Sequence, residues 1–443
     1  MPPQTTSLSL AAALRQRRDR LAELHPGPVV LWSGQAVSRN FPANTYPFRA
    51  NSHFLYFAGL PLANAALHLE GGRLTLFMND TSPEAALWHG PSPSREAIAA
   101  AIGADAAYPC QDLDSYLAEA ATLPAQTAAG PECSRVLAAA LVTLRLHHDD
   151  YALDQIKQAV AVSVAAHKAG MASTLGATTE AQVRAAMEQV IIGQGMTCAY
   201  NSIVTVHGEV LHNEQYHHAL APGDLLLADV GAEAPSGWAS DITRTWPVSG
   251  QFTAAQRDIY NLVLAAHDAC IAAARPGIEY RDLHLLACRT LTAGLVDLGV
   301  LKGDPDALVE RDVHALFFPH GVGHLLGLDV HDMEDLGDMA GYAPGRSRSD
   351  RFGLKFLRLD RPLAANMVVT IEPGFYQVPG ILGPARQSGR YDDAINWNRL
   401  KTFDGVRGIR IENDVHINST GCIVLTAALP TRADAVEALV SGA

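Results

Sequence analysis

Four carboxylates and one imidazole, Asp229, Asp241, His324, Glu372 and Glu412, are set in apolar or glycine-flanked segments spread through the second half of this 443-residue chain. A fold that buries those segments must gather acidic side chains out of water, where they repel one another unless cations lie between them. That requirement narrows the choice to folds that converge several strands on a metal centre. A pair of divalent cations balances the four carboxylates, and such a pair points to metal-assisted hydrolysis.

The segments themselves suggest how convergence is reached. DLLLADVGAEAPSGWASDITRTWPV (224–248) reads as two strand-like arms around Pro235-Ser236-Gly237. Folding about Pro235 sets Asp229 and Asp241, each six positions away, opposite each other with Cβ atoms roughly 5 Å apart. FFPHGVGHLLGLDVHD (317–332) offers His320, His324 and His331. The His320/His324 spacing is that of a zinc-binding helix, but Gly321 and Gly323 inside the interval and the missing glutamate favour an extended, glycine-rich turn. MVVTIEPGFY (367–376) is a strand stopped by Pro373-Gly374, with Glu372 at its mouth. In GIRIENDVHI (408–417) alternation sends Arg410 and Glu412 to one face, where Arg410 can brace the acidic cluster. Every candidate ligand except His324 is thus expected on a strand. An oxygen-rich set with a single imidazole suits Mn²⁺, Co²⁺ or Zn²⁺.

The length exceeds what one core usually covers, so two domains are expected. Residues 1–150 carry a helix over 8–25, a strand over 28–32, a hairpin formed by 65–69 and 74–78, and alanine-rich helices near 95–103 and 134–141, which make an α/β domain. Residues 151–443 alternate long helical stretches, from 154, over 179–192, 253–274 and 280–298, with strands. This predicts an α+β domain with helices packed on a curved antiparallel sheet. Hydrophobic residues at 48% and charged ones at 18% suit a globular protein. The net charge of −13 and the lack of a basic run disfavour nucleic acid and leave small peptides as better partners. Six scattered cysteines without a CxxC pair suggest reduced thiols. The arginines at 15–20 follow the short apolar stretch 8–14, the reverse of a signal peptide, and no stretch is long enough to span a bilayer, so a cytoplasmic address without a membrane partner is expected.

HGVGHLLGLDVHD, TIEPGFY and GIRIEND, with YPFRANSHFLYFAG (46–59) in the first domain, resemble the Xaa-Pro metallopeptidases of the pita-bread fold, the group of prolidase (Xaa-Pro dipeptidase) and aminopeptidase P. The resemblance implies an N-terminal domain of the aminopeptidase P/prolidase type and a pita-bread catalytic domain. It implies two divalent metal ions, first of all Mn²⁺, with Zn²⁺ or Co²⁺ as alternatives, on Asp229, Asp241, His324, Glu372 and Glu412, with Asp241 and Glu412 bridging. Glu372 would accept the proton of the attacking water, His212 in VLHNE would stabilise the tetrahedral intermediate, and His320 and His331 would line the pocket. Arg410 matches the arginine two residues before the last ligand. The chain departs from the pattern by one extra residue between Asp229 and Asp241, which implies a longer turn or bulge. Arg358 falls where prolidases bind the substrate's carboxylate, and the insert between Tyr376 and Arg407 is also prolidase-like. An Xaa-Pro dipeptidase is therefore expected, with Tyr200 and His331 as walls of the proline pocket. The alternatives are an aminopeptidase P acting on longer peptides, or a noncatalytic peptide-binding protein on the same fold. A homodimer is the family expectation.

Overall fold

The computed structural model describes residues 9–117, 120–123 and 132–442. Residue 8, the expected start of the first helix, and the Cys133 side chain lie outside them. The first part contains α1 (Leu10–Leu24), β1 (Val29–Trp32), α2 (Ser52–Ala58), β2 (Ala66–Glu70), β3 (Arg73–Phe77), α3 (Pro83–His89), α4 (Arg95–Ile102), β4 (Ala106–Tyr108), α5 (Asp114–Leu117), β5 (Ala121–Thr122) and α6 (Glu132–Arg145). The strands form one sheet in the order β4-β3-β2-β1-β5, antiparallel at β1/β2 and β2/β3 and parallel at β3/β4 and β1/β5. Alternation sorts the side chains. Val29, Leu31, Leu67, Leu69, Leu74 and Leu76 enter the main core, whereas Val30, Ala66 and Phe77 face a smaller cluster with Leu113. Helix α2 has no amphipathic pattern to announce it, because all seven of its residues are buried. It is specified instead by its ends: the Asn51 side chain accepts from the His53 and Phe54 amides, and Gly59 closes it at φ 64°.

The second part begins with the helix pair α7 (Asp150–Ser173) and α8 (Glu180–Gly193), followed by β6 (Thr197–Cys198), β7 (Ile203–Thr205), β8 (Leu225–Asp229), β9 (Ala232–Glu233) and β10 (Thr243–Pro247). Next come α9 (Ala254–Ala273), α10 (Tyr280–Asp297), α11 (Pro305–Glu310), α12 (Asp338–Gly341), β11 (Val368–Ile371) and β12 (Gly374–Tyr376). The chain ends with α13 (Pro379–Ser388), α14 (Trp397–Leu400), β13 (Gly408–Arg410), β14 (Asn413–Ile417), β15 (Cys422–Val424) and α15 (Ala433–Ser441). The strands are short and antiparallel, in ladders β10-β8-β7, β11-β14-β15, β12-β13 and β6-β9. Single bonds join the ladders, among them the Glu412 amide to the Thr243 carbonyl at 3.0 Å. Helix α7 lies against this layer through Ser163 and His167, which bond the Ala232 amide and the Val230 carbonyl. Helix α9 starts with a capping box, Thr253 with Gln256, and crosses β11, β12 and β13.

The two parts meet through a buried polar network. Arg145, at the end of α6, donates to Asp332 at 2.6 Å and Asp329 at 3.3 Å and contacts His53 Nδ1 at 2.9 Å. Arg49 reaches Glu233 at 2.7 Å and the Leu328 carbonyl at 2.6 Å. The five described cysteines are free. Among the described residues no helix is long and apolar enough to cross a membrane.

Candidate metal centre and peptide cavity

The hairpin β8/β10 sets the first two carboxylates, with a register that differs from the expected one. Asp229 pairs with Thr243, and Glu233 bridges Ala239, so the ladder is centred on Ser236 and not on Pro235. The turn closes with the Ala234 amide on the Trp238 carbonyl at 2.9 Å, and Gly237 takes φ +90°. The ladder keeps one register on both sides of the turn, so the extra residue is absorbed there. Asp241 therefore lies two residues nearer the turn than Asp229's partner, on the same face, and the two carboxylates are diagonal instead of opposite. The close approach requires Gly231, where a Cβ would lie 1.9 Å from the Ser240 carbonyl oxygen and 2.9 Å from the Tyr200 ring.

Of the four carboxylates only Asp229 lies within a strand. Asp241 precedes β10, Glu372 follows β11, and Glu412 occupies the break between β13 and β14. Alternation in the sequence marks the face of a residue and leaves the end of the ladder unmarked. The HGVGH segment is extended, as its glycines suggest: the Glu372 amide donates to the Val322 carbonyl at 2.8 Å and the Thr370 amide to the His324 carbonyl at 3.0 Å. A Cβ on Gly323 would lie 2.3 Å from both the Thr370 carbonyl and the Tyr280 hydroxyl. His324 Nδ1 meets the Leu325 carbonyl at 3.0 Å, which turns Nε2 toward Asp241 at 3.4 Å and Glu372 at 3.7 Å. One ligand atom each of Asp241, His324 and Glu412 falls within 4.8 Å of the others.

Burial drives the electrostatics. Asp241 and Glu412 are 5% and 1% exposed. Burial pushes both carboxyls above the ordinary range, Asp229 adds to it for Asp241, and Asp241 and Glu372 add to it for Glu412. Glu372 is pushed up to about 7, again mainly by burial. Burial alone would lower His324, yet Asp241 and Glu372 hold it above its usual value. The only guanidinium that bonds a carboxylate of the four acids among the described residues is Arg410, which donates to Asp229, to Thr243 Oγ1 at 3.0 Å and to the Tyr376 hydroxyl at 3.1 Å. Several buried acids facing a single guanidinium carry a large negative excess, and oxygen donors with one aligned imidazole are the donor set that divalent ions require. The residues therefore fit such ions.

The cavity over this cluster has a volume of about 590 Å³. Its lining includes His212, His320, His331, Arg348, Phe352, Lys355, Phe356 and Arg358 beside the acids and Arg410. His212 is largely exposed at the rim, and desolvation followed by Arg410 lowers its pKa. His320 is committed on both sides: Nδ1 to the Gly321 carbonyl and Nε2 to the Tyr376 hydroxyl, each at 2.8 Å. Burial lowers it to about 3. His331 lies edge-on to His324, ring centroids 4.2 Å apart. Arg358 is tied to Glu334 at 2.6 Å and Arg348 to Asp338 at 2.6 Å. Tyr200, expected as a pocket wall, is not among the lining residues. Its hydroxyl stands 2.6 Å from both Asp229 and Asp241, which makes it a brace of the carboxylates.

Three contributors escaped the sequence reading. Thr243 donates to Glu412 at 2.6 Å while accepting from Arg410, Tyr376 links His320 to Arg410, and Asp414, fully buried, accepts the Asp241 amide at 3.1 Å. The signal for Thr243 and Asp414 was present in the alternation, since each stands two residues beyond an expected ligand.

Residues 154–419 match metallopeptidase family M24, and residues 14–127 match the aminopeptidase P N-terminal domain. The chain belongs to family M24. Its architecture is an aminopeptidase P type N-terminal domain followed by a pita-bread catalytic domain, as the resemblance implies, and it is a metallopeptidase. This M24 chain is 30% identical to human Xaa-Pro dipeptidase, over 98% of this chain and 94% of that one. It is 32% identical to a probable Xaa-Pro aminopeptidase of Fusarium vanettenii, over 89% of this chain and 87% of that one. Among solved structures, aminopeptidase PepP of Pseudomonas aeruginosa matches with a TM-score of 0.79 at 28% identity, covering 98% and 99% of the two chains. An Escherichia coli aminopeptidase P variant in complex with substrate matches with a TM-score of 0.79 at 27% identity and 99% coverage of both.

Proposed function

We propose that this M24 metallopeptidase is an Xaa-Pro dipeptidase working with two divalent ions, Mn²⁺ foremost, with Asp229, Asp241, His324, Glu372 and Glu412 as ligands and Asp241 and Glu412 shared between the ions. When bound, the ions would activate water and polarise the scissile carbonyl. The protein's own groups do the rest. Glu372 accepts the proton of the attacking water and passes it to the leaving proline nitrogen. His212, uncharged at neutral pH, donates an N–H to the developing oxyanion. Arg410, Thr243 and Tyr200 hold the carboxylates in place, and His320 orients Tyr376 for Arg410. His331 forms the wall beside His324. Proline lacks the N–H by which an ordinary peptide is held, so its ring must be gripped by shape.

One observation carries the choice of a dipeptide: the cavity wall bears Arg348, Lys355 and Arg358, interleaved with Phe352 and Phe356, in the same chamber as the acids. A free proline carboxylate pairs with cations there, and the phenylalanines suit its ring. The second reading, an aminopeptidase P, is favoured by the Glu334 carboxylate already on Arg358 and by the names of several relatives. A cytoplasmic homodimer acting on small peptides completes the proposal, and the charge of −13 supports leaving nucleic acid out.

The test is release of proline from Xaa-Pro dipeptides, and of the first residue from Xaa-Pro tripeptides, with Mn²⁺ and with chelator. Dipeptide cleavage alone supports the proposal, efficient tripeptide cleavage supports the second reading, and no metal-dependent cleavage contradicts both. Arg358→Ala should lower dipeptide kcat/KM by about tenfold to a hundredfold, the worth of a charge-assisted hydrogen bond. Unchanged turnover would exclude Arg358 as the carboxylate clamp.

A further inference from the structure

A second group of metal-binding side chains lies outside the catalytic cluster. His284 and Cys288 stand one turn apart on α10, and His314 lies in the 3-10 turn Val313–Leu316. One ligand atom from each falls within 4.8 Å of the others, and none of the three is more than 2% exposed. Cys288 Sγ is 3.5 Å from His284 Nε2, which is 3.0 Å from the Gly353 carbonyl oxygen. Neither ring nitrogen of His314 has a hydrogen-bond partner among the described residues, nor has His284 Nδ1. An imidazole always carries at least one N–H, so His314 keeps a donor buried without a protein acceptor, which folded interiors seldom tolerate. The loop packs tightly on the cluster: a Cβ on Gly353 would lie 2.7 Å from His314 Nε2 and 2.7 Å from Asp312 Oδ1. That glycine lets the loop backbone close directly over the cluster.

Two imidazoles and a thiol make a softer donor set than the carboxylates of the catalytic centre, suited to a borderline-soft ion and filling three of the four positions of a tetrahedral site. We propose that His284, Cys288 and His314 form a further, structural metal site that takes Zn²⁺. On binding, the Cys288 S–H bond breaks, its proton leaves to solvent and a sulfur–zinc bond forms. Each imidazole gives one nitrogen lone pair and keeps its proton on the other nitrogen. Nothing is oxidised or reduced. The ion ties α10 and the 3-10 turn beneath the loop at Gly353, whose neighbours Phe352, Lys355, Phe356 and Arg358 line the peptide cavity. The site thus stiffens one wall of the peptide cavity without touching the reacting atoms.

Cobalt substitution of the full chain tests this, because a near-ultraviolet thiolate-to-cobalt charge-transfer band reports sulfur ligation and the carboxylate–imidazole centre contains no sulfur. Chelator-stripped protein titrated with Co²⁺ to saturation of all sites should develop the band with the intensity of one cobalt–thiolate bond per chain and lose it when Zn²⁺ is added. Cys288→Ser should abolish the band, and Cys270→Ser, which alters a neighbouring buried thiol, should retain it. No band in the unaltered protein at saturating cobalt, or a band that survives Cys288→Ser, would overturn the proposal. Should the variants fail to fold, a zinc-soaked crystal of the unaltered protein decides. An anomalous peak among the three side chains supports the site, and none there overturns it.

Discussion

Tyr200 has one hydroxyl proton and two carboxylate oxygens at 2.6 Å, so it can donate to Asp229 or to Asp241 and not to both. The second oxygen pair needs a carboxyl proton or a cation to be tolerable, whereas the Thr243 hydroxyl, donating to Glu412 and accepting from Arg410, is satisfied. The carboxylates therefore exchange protons against metal. Glu372 is raised from 4.5 to about 7, and Asp241 and Glu412 are raised as well. Groups raised in the folded state retain protons that the unfolded chain has lost, so stability falls with rising pH between the two values. Relative to Glu372→Gln, metal-free protein is expected to lose Tm as pH goes from about 4.5 to about 7, a comparison that cancels the buried histidines, whose lowered pKa values act in the opposite direction; Mn²⁺ should restore the loss most strongly above that window. Thermal melts of both proteins across pH, with and without Mn²⁺, check this. A Tm difference between the two that does not fall across the window would contradict it.

Among the elements, the hairpin β8/β10 and the breaks after β11 and β13 decide where the acids meet. Gly231→Ala would push a methyl into the Ser240 carbonyl and the Tyr200 ring, at a cost of about 1–3 kcal/mol. Urea denaturation should register that loss, with Mn²⁺ affinity falling in parallel because Asp241 follows Ser240; an unchanged midpoint would mean that the strand shifts freely. Much of this level was legible in the sequence. The hairpin, the extended HGVGH segment and the common face of Arg410 and Glu412 follow from turn residues and period-two alternation. The register did not, because it depends on Gly237 entering the left-handed region, which moves the centre of the ladder from Pro235 to Ser236. Nor did the ladder breaks at Asp241 and Glu412, since alternation continues across a strand end without changing, whereas Pro373-Gly374 marked the strand end at Glu372. Tyr200 was misplaced for a related reason: a tyrosine near an acidic cluster reads equally as wall or brace until its hydroxyl is located.

At the scale of the whole molecule, the N-terminal part is anchored to the catalytic part by charges taken out of water. Arg145 is 2% exposed and its partner Asp332 is 3% exposed. Arg145→Ala removes one partner and strands the other, at a cost of about 3–5 kcal/mol, which chemical denaturation should show as a large loss or as a separate early transition of one part. Stability within about 1 kcal/mol of the parent would mean that the network is not an anchor. The same geometry carries Asp329 and Asp332 into the segment that follows His324, so docking of the N-terminal part supports the peptide cavity from behind. The convergence of four acids and one imidazole from four separate segments on a pair of ions is best tested by counting Mn²⁺ bound per chain at equilibrium in the unaltered protein and in Asp241→Asn. Two ions in the first and a loss of tight binding in the second are predicted. No bound Mn²⁺ in the unaltered protein, or the same two ions in Asp241→Asn, would contradict the assignment.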